Sequence, residues 1–203
     1  MKLNLTELSP TQIYHLLVQT VLPRPVAWIL SEQANGKRNL APFSFFAPVC
    51  SNPPTLVVSI GNKMARQPKD TFANLKRTGR CVVHIASLAQ LEALNQSAMT
   101  LGDHESEVEH LGLTIEPFAE HGLGRIAEAP VAFACKFQQV VELGDAPQRV
   151  VFLEIEQVYL DDAIASEVDG RLTVSAQELD PVARLGGTEY SALGELISKP
   201  RPQ

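Results

Sequence analysis

The sequence predicts a mainly β fold, an antiparallel Greek-key barrel with inserted and flanking helices. Three observations lead there. Six or more strand-like apolar runs follow one another at hairpin spacing. Helical segments are inserted among these runs, whereas a doubly wound parallel sheet would alternate strand and helix throughout. Closing such a sheet also removes exposed strand edges. The 203 residues suit one domain, taken here as 1–203 with a helical extension over 1–22, and 45% apolar residues supply a sizeable core.

Each element has its own signal. Ser9-Pro10-Thr11-Gln12 reads as a helix start, with Ser9 as cap, Pro10 at the first helical position and Gln12 completing a capping box. Leu8 and Ile13 suit a hydrophobic staple, and Ile13, Leu16, Leu17 and Thr20 share one face. Pro23 and Pro25 end that helix. Residues 26–31 read as a strand. Asn35-Gly36 is a hairpin signal that calls for left-handed backbone, with residues 37–41 returning. Pro53-Pro54 punctuates, and 56–60 form a third strand. A helix opens at Pro68-Lys69-Asp70-Thr71, with Asp70 as cap, Phe72 and Leu75 inward, and Gly79 as stop. In residues 80–86 the alternation puts Cys81, Val83 and Ile85 on one face, and Val82 and His84 on the other. Ser87 caps a helix carrying Leu88, Leu91, Leu94 and Ala98. Residues 104–110 form a loop or short helical turn, and 113–118 a short strand. Two long strands, 131–142 and 149–160, turn around Gly144 and Pro147, with Val131, Phe133, Cys135 and Phe137 sharing a face. The tail after Asp161 is looser.

Composition excludes several roles. Charged residues are 20%, the net charge is −6, and no basic block offers a nucleic-acid surface. The longest apolar runs are strand-length, short of a membrane span. The opening MKLNLTELSP has no signal-peptide core. Cys50, Cys81 and Cys135 form no CxxC pair and read as reduced, buried thiols of a cytoplasmic protein. His104, His110 and His121 have no coherent metal spacing, so no metal is expected. Gly122-Leu123-Gly124-Arg125-Ile126-Ala127 matches a dinucleotide pattern in letters, but Pro130 prevents the helix such a site needs. No Gly-x-Ser-x-Gly elbow supports a hydrolase.

One stretch carries functional chemistry. Between the strand-like runs 25–30 and 55–60 lies Asn39-Leu40-Ala41-Pro42-Phe43-Ser44-Phe45-Phe46, polar and aromatic with too little charge for a surface loop. Such a mixture makes a rigid pocket wall with a few aimed hydrogen-bonding groups. The alternative is that Phe43, Phe45 and Phe46 are core aromatics, the preferred role for Phe46; Trp28 likewise reads as packing.

Arg24-Pro25-Val26-Ala27-Trp28-Ile29, Gly36, the Asn39–Phe46 run, Pro53-Pro54 and Ser59-Ile60 together resemble the flavin reductase-like family of FMN-binding split barrels. Lys69-Asp70-Thr71-Phe72-Ala73-Asn74, residues 81–87, residues 107–113 and Arg184-Leu185-Gly186-Gly187-Thr188-Glu189-Tyr190 extend the resemblance over nearly the whole chain. It implies a split barrel holding FMN, a homodimer with flavin near the interface, and residues 162–203 packed on the barrel or the partner. NAD(P)H as transient hydride donor and a flavin-dependent monooxygenase or other electron acceptor are implied with it. The implied cofactor positions are Asn39, Leu40, Ala41, Pro42, Phe43, Ser44, Phe45, Ser59, Ile60, Gly61, Lys69, Asp70 and Thr71, with Arg24 and Ser31 in a second tier.

The residue chemistry suits such a ligand. Asn39, Ser44 and the amides of 41–45 offer donors to a flat ring, while Pro42 removes one and stiffens the segment. Ser59, Lys69, Thr71 and the free N–H groups of a helix start suit a phosphate, with Asp70 expected to cap instead. His84 stands where the family pattern has asparagine; it faces a ligand or, the preferred reading, is a satisfied barrel histidine. The twin glycines Gly186 and Gly187 serve a tight turn or a close backbone approach. Tyr190 covers a flavin edge or simply packs. No side chain is assigned as a catalytic acid or base, since a flavin carries its own chemistry. A non-catalytic FMN electron carrier or sensor is the alternative function.

Overall fold

The computed structural model describes residues 1–63, 66–102, 104–118, 120 and 122–202; His121 therefore lies outside the described residues. Helix α1 (Pro10–Thr20) opens with the expected capping box: Ser9 Oγ accepts from the Gln12 N–H, and Gln12 Oε1 accepts from the Ser9 N–H. The expected inward face is not the buried one. Val18 is buried, while Leu17 and Thr20 are exposed. Packing selects the face, and three apolar residues at helical spacing do not specify which neighbour they meet.

Strands β1 (Arg24–Pro25), β2 (Ala27–Glu32), β3 (Arg38–Phe43), β4 (Phe46–Ser51) and β5 (Pro54–Ile60) follow. The hairpin between β2 and β3 is tied by Gln33 N–H to Lys37 C=O and Gly36 N–H to Gln33 C=O. Gly36 alone takes positive φ, at 82°, so the expected paired left-handed turn is instead a turn with one left-handed glycine. Asn35 Oδ1 accepts from the Lys37 N–H and stabilises the turn locally. The return strand expected over 37–41 runs on to Phe43, so the 39–46 run is mostly strand. Residues 39–43 lie in β3 and Phe46 opens β4. Aromatic and proline content disguised the period-two alternation, which places Asn39, Ala41 and Phe43 on one face and Leu40 and Pro42 on the other.

Helix α2 (Asp70–Thr78) takes Lys69, not Asp70, as its N-cap, and no side chain caps it. Asp70 instead sits in the first turn, where a carboxylate meets the positive helix end. Phe72 and Leu75 point inward and Gly79 stops the helix at φ 72°, as expected. Strand β6 (Arg80–Ile85) comes next. The Ser87 segment begins as a single 3-10 turn (Leu88–Gln90), with Gln90 Oε1 accepting from the Ser87 N–H, before α3 (Leu91–Gln96). Leu94 is buried, but Leu88 and Ala98 are exposed, because the 3-10 turn breaks the helical phase. Then come α4 (Glu107–His110), β7 (Ile115–Glu116), β8 (Arg125–Ile126), β9 (Val131–Leu143) and β10 (Gln148–Leu160). Gly124 has φ 75°, and a Cβ there would lie 2.7 Å from the Glu116 carbonyl oxygen. Gly124 thus serves packing, Gly122 has positive φ (70°) with open space at its Cβ position, and β8 rather than a helix follows them.

The tail holds β11 (Ala165–Val168), β12 (Arg171–Val174), α5 (Ala176–Leu179), β13 (Ala183–Arg184) and β14 (Tyr190–Ser191). It is more ordered than its composition suggested. Strand β13 pairs with β1 through Arg24 and Arg184. Gly186 packs where a Cβ would stand 2.7 Å from Gln19 Cγ, and Gly187 turns at φ 59°, so the twin glycines do one job each.

Seven antiparallel strands form one sheet in the order β3-β2-β6-β9-β10-β5-β4. Among the described residues the pairing does not close into a barrel: β3 and β4 remain edge strands. Two apolar layers flank the sheet. Ile29, Val58, Val83, Cys135 and Leu153 pack with Phe72 and Leu75 of α2. Trp28, Leu30, Leu40, Val82 and Ala132 pack with Leu94, Val108 and Ile126. Each buried Leu, Ile, Val or Phe among them contributes about 2 kcal/mol. Cys81 and Cys135 face each other across β6 and β9, free and buried, whereas Cys50 is exposed, contrary to the expectation for all three.

Candidate functional site

A cleft of about 470 Å³ opens between β3 and the start of α2. Asn39, Ala41 and Pro42 form one wall; Lys69, Asp70 and Thr71 form the facing one. Asn62, Lys63, Gln67, residues 97–101 and Glu107 complete the lining. A second cleft of about 330 Å³ shares Asn39, Asp70, Leu101 and Glu107 and continues past Gln33, Asn74 and His104. The first volume lies within the range of small-molecule sites.

The wall is built from below. Asn39 Nδ2 donates to Thr71 Oγ1 at 3.1 Å and to Ser31 Oγ at 3.4 Å, and Asn74 Nδ2 donates to the same Ser31 oxygen at 3.1 Å. Ser31 is fully buried and supports Asn39 without lining the cleft. This buried polar network locks β2, β3 and α2 together. Asn62 is oriented from behind, since its Oδ1 accepts from Arg149 Nη1 and its Nδ2 donates to the Pro147 carbonyl.

Charge is unevenly distributed. Lys63 Nζ lies 2.6 Å from Asp70 Oδ1. Lys69 Nζ hangs 5.3 Å from the centre of the Phe43 ring. Nearby apolar mass holds its pKa below the ordinary lysine value, although the residue as a whole is exposed. The N–H groups of Asp70 and Thr71 precede the first helical hydrogen bonds of α2, which begin with Phe72 and Ala73 bonding to the Lys69 carbonyl. Glu107 is buried, and burial raises its carboxyl pKa while the Leu40 N–H bond opposes the rise.

The remaining expected positions lie elsewhere. Leu40 packs in the layer of Trp28 and Leu94; Phe43 and Ile60 are buried in the layer of Phe72 and Leu75. Arg24 is occupied structurally: its guanidinium donates to the carbonyls of Val18, Val21 and Leu185 and to Ser44 Oγ, closing α1 onto the tail. Phe45 is exposed beside Tyr14, and Ser59 and Gly61 lie outside the cleft lining. Trp28 is fully buried and donates from Nε1 to Ser97 Oγ at 2.8 Å, so it packs. His84 is a satisfied core histidine. Its Nε2 accepts from the Ile126 N–H, which leaves Nδ1–H to donate to the Trp28 carbonyl, and burial lowers its pKa to about 4. Tyr190 donates to Asn95 Oδ1 and packs on Arg184.

Sequence reasoning passed over Asn62, Lys63, Gln67, residues 97–101 and Glu107. Asn62-Lys63 directly after the β5 strand was a usable signal; Glu107 opens the 107–113 run that carries part of the resemblance, but that run was given no site role. Among the described residues, no group of three or more His, Cys, Asp or Glu could hold a metal ion, and no helix is long and apolar enough to cross a membrane.

Residues 19–176 match the flavin reductase like domain. The chain belongs to the flavin reductase-like family. It is similar over 98% of both chains to nitrilotriacetate monooxygenase component B of Bacillus cereus, at 31% identity and a TM-score of 0.91. It is also similar to the 2-nitrobenzoate 2-nitroreductase of Pseudomonas fluorescens, at 26% identity and a TM-score of 0.89, over 100% of this chain and 96% of that one. A split barrel domain protein of Shewanella frigidimarina shares the fold over 100% of both chains at 24% identity and a TM-score of 0.84. The flavin reductase-like fold is thus a split barrel, in keeping with its two unpaired edges, and the family places this chain among flavin oxidoreductases.

Proposed function

We propose that this protein is an FMN-dependent oxidoreductase that takes hydride from NAD(P)H. The observation that carries the proposal is the pairing, in one cleft, of an amide-bearing apolar wall with an uncapped helix start bearing Lys69. The donor set fits FMN. The free N–H groups of Asp70 and Thr71, the Thr71 hydroxyl and Lys69 suit a phosphate dianion. Ala41 and Pro42 suit an apolar ring, and Asn39 Oδ1, without a protein partner among the described residues, suits a ring N–H. The chemistry supplied by FMN when bound is hydride acceptance from NAD(P)H and delivery of electrons to free flavin or a protein acceptor.

The chain's own part is binding and orientation. Ser31 and Asn74 hold Asn39 in place. Lys63 neutralises Asp70, so the acid does not oppose the phosphate. Glu107 is a carboxylate in the wall, and a monooxygenase component as acceptor is supported by the similarity to component B. A second copy of the chain is the proposed partner, bringing the flavin near the interface.

The test is anaerobic mixing of FMN-loaded protein with NADH and with NADPH. Rapid loss of the oxidised flavin band is the expected result. An unchanged spectrum with both donors would leave the protein an electron carrier. Quenching of the sole tryptophan, Trp28, one hydrogen bond from the cleft-lining Ser97, reports FMN binding independently.

A further inference from the structure

Strand β3 has β2 on one side and nothing from the sheet on the other. Its backbone alternates accordingly. Asn39 pairs toward Ser31 of β2, whereas the groups of Arg38 and Leu40 point to the open edge. An open edge leaves donors and acceptors without ladder partners. Here two consecutive side chains take the place of a strand. Ser106 Oγ donates to the Arg38 carbonyl at 2.6 Å, and Glu107 Oε2 accepts from the Leu40 N–H at 3.0 Å. Segment 105–109 is latched alongside by Gln33 Nε2 to the Glu105 carbonyl at 2.9 Å and by Lys37 to Glu109 at 2.6 Å.

Glu107 is 7% exposed and lines both clefts. A buried carboxylate is a costly way to satisfy one amide, since a hydroxyl would do so without desolvating a charge. The residue bonded, Leu40, sits between the two cleft-wall residues Asn39 and Ala41. We infer that Glu107 is the positioning residue of the cleft: with Ser106 it closes the β3 edge and fixes the height and pitch of the Asn39–Ala41–Pro42 wall. This role was legible in no motif. It belongs to the 107–113 run, which the cofactor assignment otherwise leaves unused. The inference deepens the FMN proposal only in its ligand arm; the clamp itself stands without ligand.

The decisive measurement is amide hydrogen exchange of Leu40 in the ligand-free full chain, with the Val83 amide of central β6 as internal control. Loss of one charge-assisted bond in E107A is expected to speed Leu40 exchange by about tenfold or more with Val83 unchanged. In E107Q, whose amide oxygen still accepts, Leu40 exchange should stay near the wild-type rate. If E107A does not fold, E107D serves, because its shorter side chain withdraws the carboxylate while keeping the charge. Equal Leu40 exchange in wild type and the truncated variant would overturn the clamp. The ligand arm compares FMN with riboflavin: E107A should weaken both alike and E107Q should restore both, because the wall meets the ring they share. A loss in E107A that E107Q does not restore would overturn positioning. Failure of wild-type protein to bind either flavin would sink the cofactor proposal while the exchange result still decides the clamp.

Discussion

Lys69 stands at an uncapped helix start with its ammonium at the cleft, so its charge is available to a ligand. Lys69→Ala is expected to weaken FMN binding by about tenfold or more and to leave riboflavin nearly unchanged, as fluorescence titration of both will measure. Equal losses would show that Lys69 does not read phosphate. Asn39→Ala should weaken both flavins, since it also releases Thr71 and Ser31 from their shared network. His84 gives a pH dependence with a definite sign. Folded, it stays neutral down to about pH 4; unfolded, it takes a proton near 6.5. The unfolded chain therefore binds more protons in that window, and stability falls by about 3 kcal/mol as pH drops from 6.5 toward 4. Urea unfolding across this range should show a slope that His84→Asn reduces by one proton. Glu107 acts oppositely. Burial raises its folded pKa, with Asp70 adding to the rise and Lys63 and the Leu40 N–H opposing it. The cost of its ionised form is present above the raised value and vanishes below the ordinary glutamate range. Glu107→Gln should accordingly raise the melting temperature at neutral pH, and the gain should disappear in acid.

Helix α2 links fold and site, since Phe72 and Leu75 bury its inner face while its first turn forms the cleft wall. Its C-terminal stop, Gly79, has φ 72° and no atoms where a Cβ would stand. Gly79→Ala therefore costs conformational strain alone, about 1 kcal/mol, readable as a lower denaturation midpoint with an unchanged slope. The start and the stop of this helix differed in legibility. A glycine stop follows from backbone geometry within one residue, whereas the start falls at Lys69 with no side-chain cap, and the Asp70 carboxylate pairs with Lys63 instead. The same contrast runs through the strands. Alternation in β6 and β9 was plain because apolar and polar residues take turns. In β3 the alternating residues are Asn39, Ala41 and Phe43, a set whose shared face only the α2 contact makes evident.

At the scale of the molecule, Tyr14, Leu17 and Val21 present an exposed face of α1 at helical spacing, and Phe45 lies beside Tyr14. Exposed apolar patches of this kind mark interfaces. In the proposed homodimer, Leu17→Glu should shift sedimentation to the monomer, and an unchanged sedimentation coefficient would place the interface elsewhere. The sequence by itself determined the helix caps at Ser9 and Gly79 and the apolar alternation of β6 and β9, because each depends on neighbours within a few residues. It also carried the family, through motifs spread along the chain. Only the tertiary structure decided that β3 and β4 each keep one open edge, that Arg24 is spent on α1 and the tail, and that Glu107 meets Leu40. Those contacts join residues far apart in the chain, and which partner a buried charge or a free strand edge finds depends on the three-dimensional path that local spacing does not encode.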